Sequence, residues 1–194
     1  ATNASEVALS SDAHTLVARL RHGSAASASV TTVLAVSHAI TGGLGGLGLR
    51  AAQLLAERGA TRVLLASRGG RVACTGAPMQ MLNAQASMLA VVACDSSDVA
   101  DVRALSATNA LGSILHAAGV LRDRIFRAMT SADLCFALEP KAFGASHIHH
   151  LSARMPLEAM GFFSSVASTF GNIGQSNYAA ANACMDALAL NQRK

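Results

Sequence analysis

A glycine-rich segment between an apolar run and a helical pattern constrains the fold of this chain more than any other feature. The segment reads ITGGLGGLGLRAAQLL, follows the apolar run TVLAVSHAIT, and opens a helix predicted from about Gly46 to Arg58. Glycines at such a junction permit a tight turn and let the backbone approach a pyrophosphate at the helix N-terminus. The segment therefore predicts a dinucleotide-binding β-α-β unit, with a glycine loop that merely turns the chain as the alternative.

Four further apolar runs alternate with helical patterns downstream: TRVLLASR, SMLAVVACD, GSILHAAG and AMGFFSS. Near-continuous apolar strands separated by helices are typical of a parallel sheet covered on both faces. The predicted fold is α/β, a Rossmann-type doubly wound sheet that ends after its fifth strand and the following helix, which begins near Tyr178. The Ala- and Ser-rich N-terminus shows one weak helical pattern, around Asp12 to Arg21.

The end of the second strand indicates which dinucleotide is bound. NAD enzymes place an acidic residue there for the ribose hydroxyls, whereas an arginine accommodates a 2′-phosphate. Ser67 and Arg68 occupy this position, which favours NADPH over the alternative of a solvated surface arginine. Asp95 ends the third strand, facing the adenine, and HAAG ends the fourth, beside the nicotinamide ribose. The predicted cofactor contacts are Thr41, Gly43, Gly45, Gly46, Leu47, Gly48, Ser67, Arg68, Asp95, Ser96, His116, Ala117, Ala118 and Gly119.

The chain has a single tyrosine, Tyr178, in the segment GQSNYAAANACMDAL. A tyrosine that gives up a proton near neutral pH needs a nearby cation that favours its phenolate. Asn182, one helical turn onward, shares a helix face with Tyr178 but carries no charge. Two alternatives follow: either Tyr178 is not catalytic, or its cation comes from elsewhere in the chain.

These segments together resemble the ketoreductase domain of modular polyketide synthases and animal-type fatty acid synthases, which belongs to the short-chain dehydrogenase superfamily. The resemblance runs from about Ile40 to Leu190, and its blocks occur in family order: TGGLGGLG, LLASR, VVACD, HAAGVLRD, PKAFGASHIHHL, FFSSVAS and GQSNYAAANACMDAL. It implies two parts of the chain. Residues 1–32 are a linker or the remnant of a preceding subdomain, and residues 33–194 are an NADPH-binding catalytic domain without its C-terminal strands.

In that family the lysine and asparagine of the superfamily are exchanged in sequence. The resemblance implies that Lys141 is the displaced lysine, Ser165 the catalytic serine, Tyr178 the acid and Asn182 its helical neighbour. Lys141 follows Pro140 near the start of a predicted helix, from which an ammonium can reach the phenol. A hydroxyl at a strand end can donate to a substrate carbonyl. Ser164 is the alternative serine, and the family's spacing to the tyrosine selects Ser165.

The resemblance also implies a substrate and partners. The substrate is a β-ketoacyl chain tethered by phosphopantetheine to an acyl carrier protein, and other synthase domains are further partners. Asp123 in the motif LRD implies the B-type, D-configured alcohol, and Phe170 stands where a tryptophan is typical of the other type. The polyketide or fatty acid context stays open. The alternative function is a non-catalytic, reductase-like subdomain that binds a carrier protein or cofactor.

Composition weighs against several other classes. The net charge of +4 comes from scattered arginines, with one Tyr and no Trp to stack on bases, which disfavours nucleic-acid binding. The four cysteines form no C-x-x-C pair, and His147, His149 and His150 are spaced so that they do not share one helix face, so no metal site is predicted. No apolar run approaches the roughly twenty residues that cross a bilayer. A cytoplasmic location is expected, with the parent's compartment open.

Overall fold

A parallel sheet with helices between its strands forms most of the described structure. This computed structural model describes residues 7–9, 15–17, 37–71, 87–108 and 110–191. The strands are β1 (Val7–Leu9), β2 (Thr15–Val17), β3 (Ser37–Thr41), β4 (Arg62–Ser67), β5 (Leu89–Ala93), β6 (Leu111–His116) and β7 (Ala159–Phe162). The α-helices are α1 (Gly46–Glu57), α2 (Val99–Thr108), α3 (Ser131–Leu138), α4 (Gly144–Ser152), α5 (Ala167–Phe170) and α6 (Ser176–Asn191).

The main sheet has the order β5-β4-β3-β6-β7, and all its neighbouring strands are parallel. The chain moves outward from β3 through β4 to β5 and then returns to the other side of β3 with β6. This reversal is the switch point at which doubly wound sheets bind ligands, outside the carboxyl ends of the strands. The predicted Rossmann-type fold is confirmed, and all five predicted strands are present.

The two faces of the sheet carry separate apolar clusters because side chains alternate along each strand. In β4, Val63 and Leu65 belong to the cluster that includes Ala52 of α1. Leu64, between them, belongs to the opposite cluster, which includes Val102 of α2 and Ile148 of α4. Burying each Val or Leu stabilises the fold by about 1.5–3 kcal/mol. Helices therefore cover both faces, and the strand ends are held at a fixed edge. None of the described helices is long and apolar enough to span a membrane.

The helix expected near the N-terminus is wrong for the residues that the structure describes there. Residues Thr15–Val17, inside the weak helical pattern predicted around Asp12 to Arg21, form β2 and pair antiparallel with β1. Alternate residues of TLV are β-branched, which favours a strand over a helix. The rest of that pattern lies outside the described residues, and the division between residues 1–32 and 33–194 stays a prediction.

The helix around Lys141 also differs from the expectation. Lys141 was expected near the start of a helix because Pro140 precedes it. Helices α3 and α4 instead join through a π-helical turn at Glu139–Phe143, so Lys141 lies in the middle of one continuous helical stretch. Proline removes one backbone donor, and a π-helical turn is a known way of accommodating such a break near functional sites. The real start of the stretch is the capping box of Thr130 and Asp133.

Candidate active site

The carboxyl ends of the parallel strands form one edge of the sheet, and a cleft opens there. Six predicted cofactor contacts line this cleft or its rim. The lining residues are Gly42, Ser67, Arg68, Cys94, Asp95, Ser96, Ala118, Gly119, Val120 and Pro140. Sequence reasoning found Ser67, Arg68, Asp95, Ser96, Ala118 and Gly119 among these. The cleft thus brings residues from four strand ends to one place.

The glycine turn at this edge is shaped by close backbone contacts. Gly42 has φ +67°, and a Cβ there would lie 2.6 Å from the Ala118 backbone. A Cβ at Gly48 would lie 2.5 Å from the Gly42 carbonyl oxygen. A Cβ at Gly46, by contrast, would meet nothing within 4 Å, and no side chain of the described residues caps the N-terminus of α1. A helix N-terminus without a side-chain cap fits a cofactor pyrophosphate.

Two predicted cofactor contacts have side chains that point into the protein. His116 and Thr41 are both buried, and the Thr41 Oγ1 lies 2.6 Å from His116 Nδ1. Their side chains therefore contact each other rather than line the cleft. Asp95 lines the cleft while its carboxylate accepts from the amide and hydroxyl of Ser97.

The Lys141 side chain is buried and connects three elements. Its Nζ donates to the Asn182 Oδ1 at 3.0 Å and to the Phe163 carbonyl oxygen at 3.0 Å. The Nζ also lies 5.1 Å from the centroid of the Tyr178 ring. A Cβ at Gly119 would lie 2.7 Å from the Lys141 Cε, so glycine leaves the space through which the lysine stem passes. The structure therefore brings Lys141 to Tyr178 and Asn182, although these two residues lie 37 and 41 positions beyond it in the sequence.

Asn182 is fully buried and uses both ends of its amide. Its Oδ1 accepts from Lys141, and its Nδ2 donates to the backbone carbonyl of Tyr178 at 2.7 Å. Ser165 follows β7 at the same edge, two positions after Phe163. Its Oγ accepts from the Ala167 amide at 3.2 Å, which leaves the hydroxyl proton available for another acceptor.

A family model described as KR domain matches residues 36–194. The chain belongs to the KR domain family. The resemblance to ketoreductases is thereby confirmed.

Relatives of this KR domain include polyketide synthases. It is 42% identical over 160 residues to polyketide synthase GfsB of Streptomyces halstedii, covering 79% of the chain and 3% of that protein. It is 38% identical over 162 residues to the pikromycin polyketide synthase component PikAII of Streptomyces venezuelae, covering 79% of the chain and 4% of that protein. The chain thus spans a small part of the curated relatives it matches.

Solved ketoreductases share the fold of this KR domain. A structure of an A1-type ketoreductase superposes with a TM-score of 0.82 at 34% identity, covering 98% of this chain and 41% of that chain. The first ketoreductase of the tylosin polyketide synthase superposes with a TM-score of 0.81 at 33% identity, covering 97% and 42% respectively. The chain therefore spans less than half the length of these structures.

Sequence reasoning missed Asn177, which holds the loop before α3 against the start of α6. Its buried Nδ2 donates to the carbonyl oxygens of Arg122 and Asp133, and its Oδ1 accepts from the Tyr178 amide. Hydrogen bonds from Thr130 and the neighbouring Arg122 hold the pKa of Asp133 down at about 2. A polar residue directly before the tyrosine, at a helix start, was the available signal.

The two residues predicted to control stereochemistry lie at exposed positions of this KR domain. The Asp123 carboxylate accepts from Gln175 Nε2, which lies 3.1 Å from both of its oxygens. Phe170, at the end of α5, is 56% exposed. Among the residues that the structure describes, no group of three or more His, Cys, Asp or Glu side chains is arranged to hold a metal.

Burial of the Lys141 ammonium predicts a specific pH dependence of stability. Desolvation lowers the pKa of Lys141 from 10.5 to about 8, against the opposing attraction of Asp186. Between these two values the unfolded chain binds more protons than the folded chain, so the free energy of unfolding rises with pH there. Below about pH 8 the penalty for the buried charge is fully present.

Urea unfolding of the wild type and of Lys141→Met across this interval measures the effect, since other titrating groups cancel in the difference. We expect the wild type to gain stability relative to the variant as the pH rises from about 8 to 10.5. If the difference in the free energy of unfolding between the two proteins stays constant over this interval, the result would contradict the burial of the Lys141 ammonium.

Proposed function

We propose that this chain is an NADPH-dependent ketoreductase that reduces the β-keto group of an acyl thioester to the β-hydroxyacyl thioester. The substrate is carried by phosphopantetheine on an acyl carrier protein, within a synthase of the polyketide type. Residues 33–194 form the catalytic domain. The observation that carries the proposal is the buried Lys141 ammonium, bonded to Asn182 and lying against the Tyr178 ring at the ligand-binding edge of the sheet.

Each residue of this site has a role that its contacts support. Tyr178 gives its phenolic proton to the substrate carbonyl oxygen, and the Lys141 ammonium favours the phenolate that remains. Ser165 donates its free hydroxyl proton to the same oxygen and so polarises the carbonyl. Asn182 holds the lysine in place through its Oδ1. When bound, NADPH supplies the hydride that adds to the carbonyl carbon.

The cleft residues fit the phosphorylated form of the cofactor. The open N-terminus of α1 is suited to the pyrophosphate, and Asp95 and Ser96 line the cleft beyond it. Arg68 is exposed and directly follows β4. The last residue of that strand is Ser67 and not an acidic residue. A guanidinium there pairs with a 2′-phosphate, whereas NAD enzymes place an acid at this position.

Arg68→Ala is therefore expected to raise the Kd for NADPH by about tenfold or more, because charge-assisted hydrogen bonds to the 2′-phosphate are lost. The Kd for NADH, which lacks that phosphate, is expected to stay unchanged. Titration calorimetry with both cofactors measures this. Arg103→Ala, which removes an exposed arginine from α2, is the matched control. An equal loss for both cofactors would contradict the assignment of Arg68.

The product is proposed to be the B-type, D-configured alcohol. Asp123 supports this proposal because its carboxylate accepts from Gln175, which directly precedes α6 and lies three positions before Tyr178. We expect chiral chromatography of the reduced thioester to give the D-alcohol in excess. We expect Asp123→Ala to erode that excess. An L-configured product from the unaltered chain would refute the B-type assignment.

Turnover of the chain itself tests the proposed function. The chain is incubated with NADPH and a β-ketoacyl N-acetylcysteamine thioester, and the loss of nicotinamide absorbance is followed together with the product mass. We expect the thioester to gain two hydrogen atoms as NADPH is consumed. A folded chain that binds NADPH but forms no product would contradict a ketoreductase and favour the non-catalytic alternative.

A further inference from the structure

His116, at the end of β6, has a fully buried side chain with partners at both ring nitrogens. Its Nε2 lies 3.0 Å from the Lys141 carbonyl oxygen, and its Nδ1 lies 2.6 Å from the Thr41 hydroxyl oxygen. A carbonyl oxygen can only accept a hydrogen bond. Nε2 therefore carries the proton and donates to Lys141, and Nδ1 accepts from Thr41. The contacts thus fix one neutral tautomer.

The π-helical turn at Glu139–Phe143 places backbone carbonyls at the edge of the sheet. In an α-helix the interior carbonyls accept from amides four residues onward. In this turn the carbonyl of Pro140 also accepts from Ser96 Oγ at 3.3 Å, and that of Lys141 accepts from His116. Residues at the strand ends therefore hold the turn against the cleft.

A second chain of hydrogen bonds, through Phe163, connects His116 to Lys141. The His116 carbonyl oxygen accepts from the Phe163 amide at 2.9 Å, and the Phe163 carbonyl oxygen accepts from Lys141 Nζ at 3.0 Å. A Cβ at Gly144 would lie 2.9 Å from His116 Cε1, so the imidazole packs directly against the helix beyond the turn. His116 thus bonds to the backbone of Lys141 and also to Phe163, whose carbonyl oxygen accepts from the Lys141 ammonium.

We propose that His116 is a positioning residue, whose neutral imidazole fixes the π-helical turn so that the Lys141 ammonium lies between Asn182 and Tyr178. The inference rests on the proposed function only in the catalytic role given to Lys141. Burial lowers the pKa of His116 to about 4. The imidazole therefore stays neutral around neutral pH and adds no second positive charge beside the ammonium.

Two substitutions separate the two bonds of the imidazole. His116→Gln keeps an amide donor near the position of Nε2, within reach of the Lys141 carbonyl. His116→Asn extends only to the position of Nδ1, within reach of Thr41. The readout is the titration of the Lys141 amine by NMR in protein labelled with ¹⁵N-lysine. Because the sequence has two lysines, a Lys194→Arg background leaves Lys141 as the single signal.

In the parent and in His116→Gln we expect the Lys141 amine to titrate near its folded pKa of about 8. In His116→Asn we expect this midpoint to rise by about one pH unit or more, because a released lysine regains contact with water. An unchanged midpoint in a folded His116→Asn protein overturns the proposal, and so does an equal shift in both variants.

A measurement on the parent protein tests the proposal even when the variants do not fold. The ¹⁵N signals of His116 report its tautomer: protonation at Nε2 supports the proposal, and protonation at Nδ1 overturns it. None of these readouts requires turnover. A chain that shows the expected titrations but reduces no thioester would contradict the proposed function and leave the positioning role of His116 supported.

Discussion

Replacing Tyr178 with phenylalanine is expected to lower kcat for reduction of a β-ketoacyl thioester by about 10³-fold, the usual contribution of a general acid. The substitution removes only the phenolic hydroxyl. The hydrogen bonds that place the start of α6 use the Tyr178 backbone, whose amide contacts Asn177 and whose carbonyl contacts Asn182. Helix α6 and the lysine site should therefore persist, and NADPH affinity should be unchanged.

Steady-state kinetics with calorimetric NADPH binding checks this result. Ser164→Ala is the control, since it removes an exposed hydroxyl adjacent to the proposed catalytic serine. We expect the control to keep wild-type kcat. Equal kcat in Tyr178→Phe and the wild type would rule out the tyrosine mechanism.

Lys141→Met is expected to lower kcat by about 10²- to 10³-fold, because it removes a preorganised charge beside the reacting groups. Methionine has a similar length and fits the space beside Gly119. That space exists because residue 119 is glycine: a Cβ there would lie 2.7 Å from the Lys141 Cε. It leaves the Asn182 and Phe163 oxygens without their shared donor. We expect the loss to lower the free energy of unfolding by about 1–3 kcal/mol per acceptor. Because the variant no longer buries a charge, part of this loss is offset.

Lys194→Met is the matched control, since it removes the other lysine of the sequence. We expect the control to keep wild-type kcat, whereas Lys141→Met keeps NADPH binding and loses turnover. Lys141→Arg should not restore activity, because a planar guanidinium does not reproduce the compact ammonium that bonds both Asn182 and Phe163. Wild-type kcat in Lys141→Met would show that the ammonium has no part in the reaction.

The sheet could be predicted from the sequence because its signals are local. Most strands of the main sheet lie in near-continuous apolar runs, such as Arg62–Ser67, and the glycine turn directly precedes α1. The lysine site is different. No local pattern near Lys141 indicates that its ammonium reaches Asn182, 41 positions away. The family resemblance supplied that pairing, and the hydrogen bonds then gave it a physical basis.

The expectation for the helix around Lys141 was wrong because that helix begins further upstream than its local sequence indicates. Pro140 reads locally as a helix start, but the helix begins at the capping box of Thr130, and a π-helical turn accommodates the proline.

The cofactor contacts predicted for Thr41 and His116 stay predictions. Their buried side chains contact each other, and alternation along a strand does not reveal which partner lies across the sheet.

A crystal structure of the chain with NADPH bound tests the central claim most directly, because that claim is the placement of one ammonium group. We expect Lys141 Nζ to remain within hydrogen-bonding distance of the Asn182 Oδ1 and the Phe163 carbonyl oxygen, against the Tyr178 ring. A Lys141 side chain turned toward solvent in a folded, NADPH-loaded chain, with the Asn182 amide bonded elsewhere, would contradict the account.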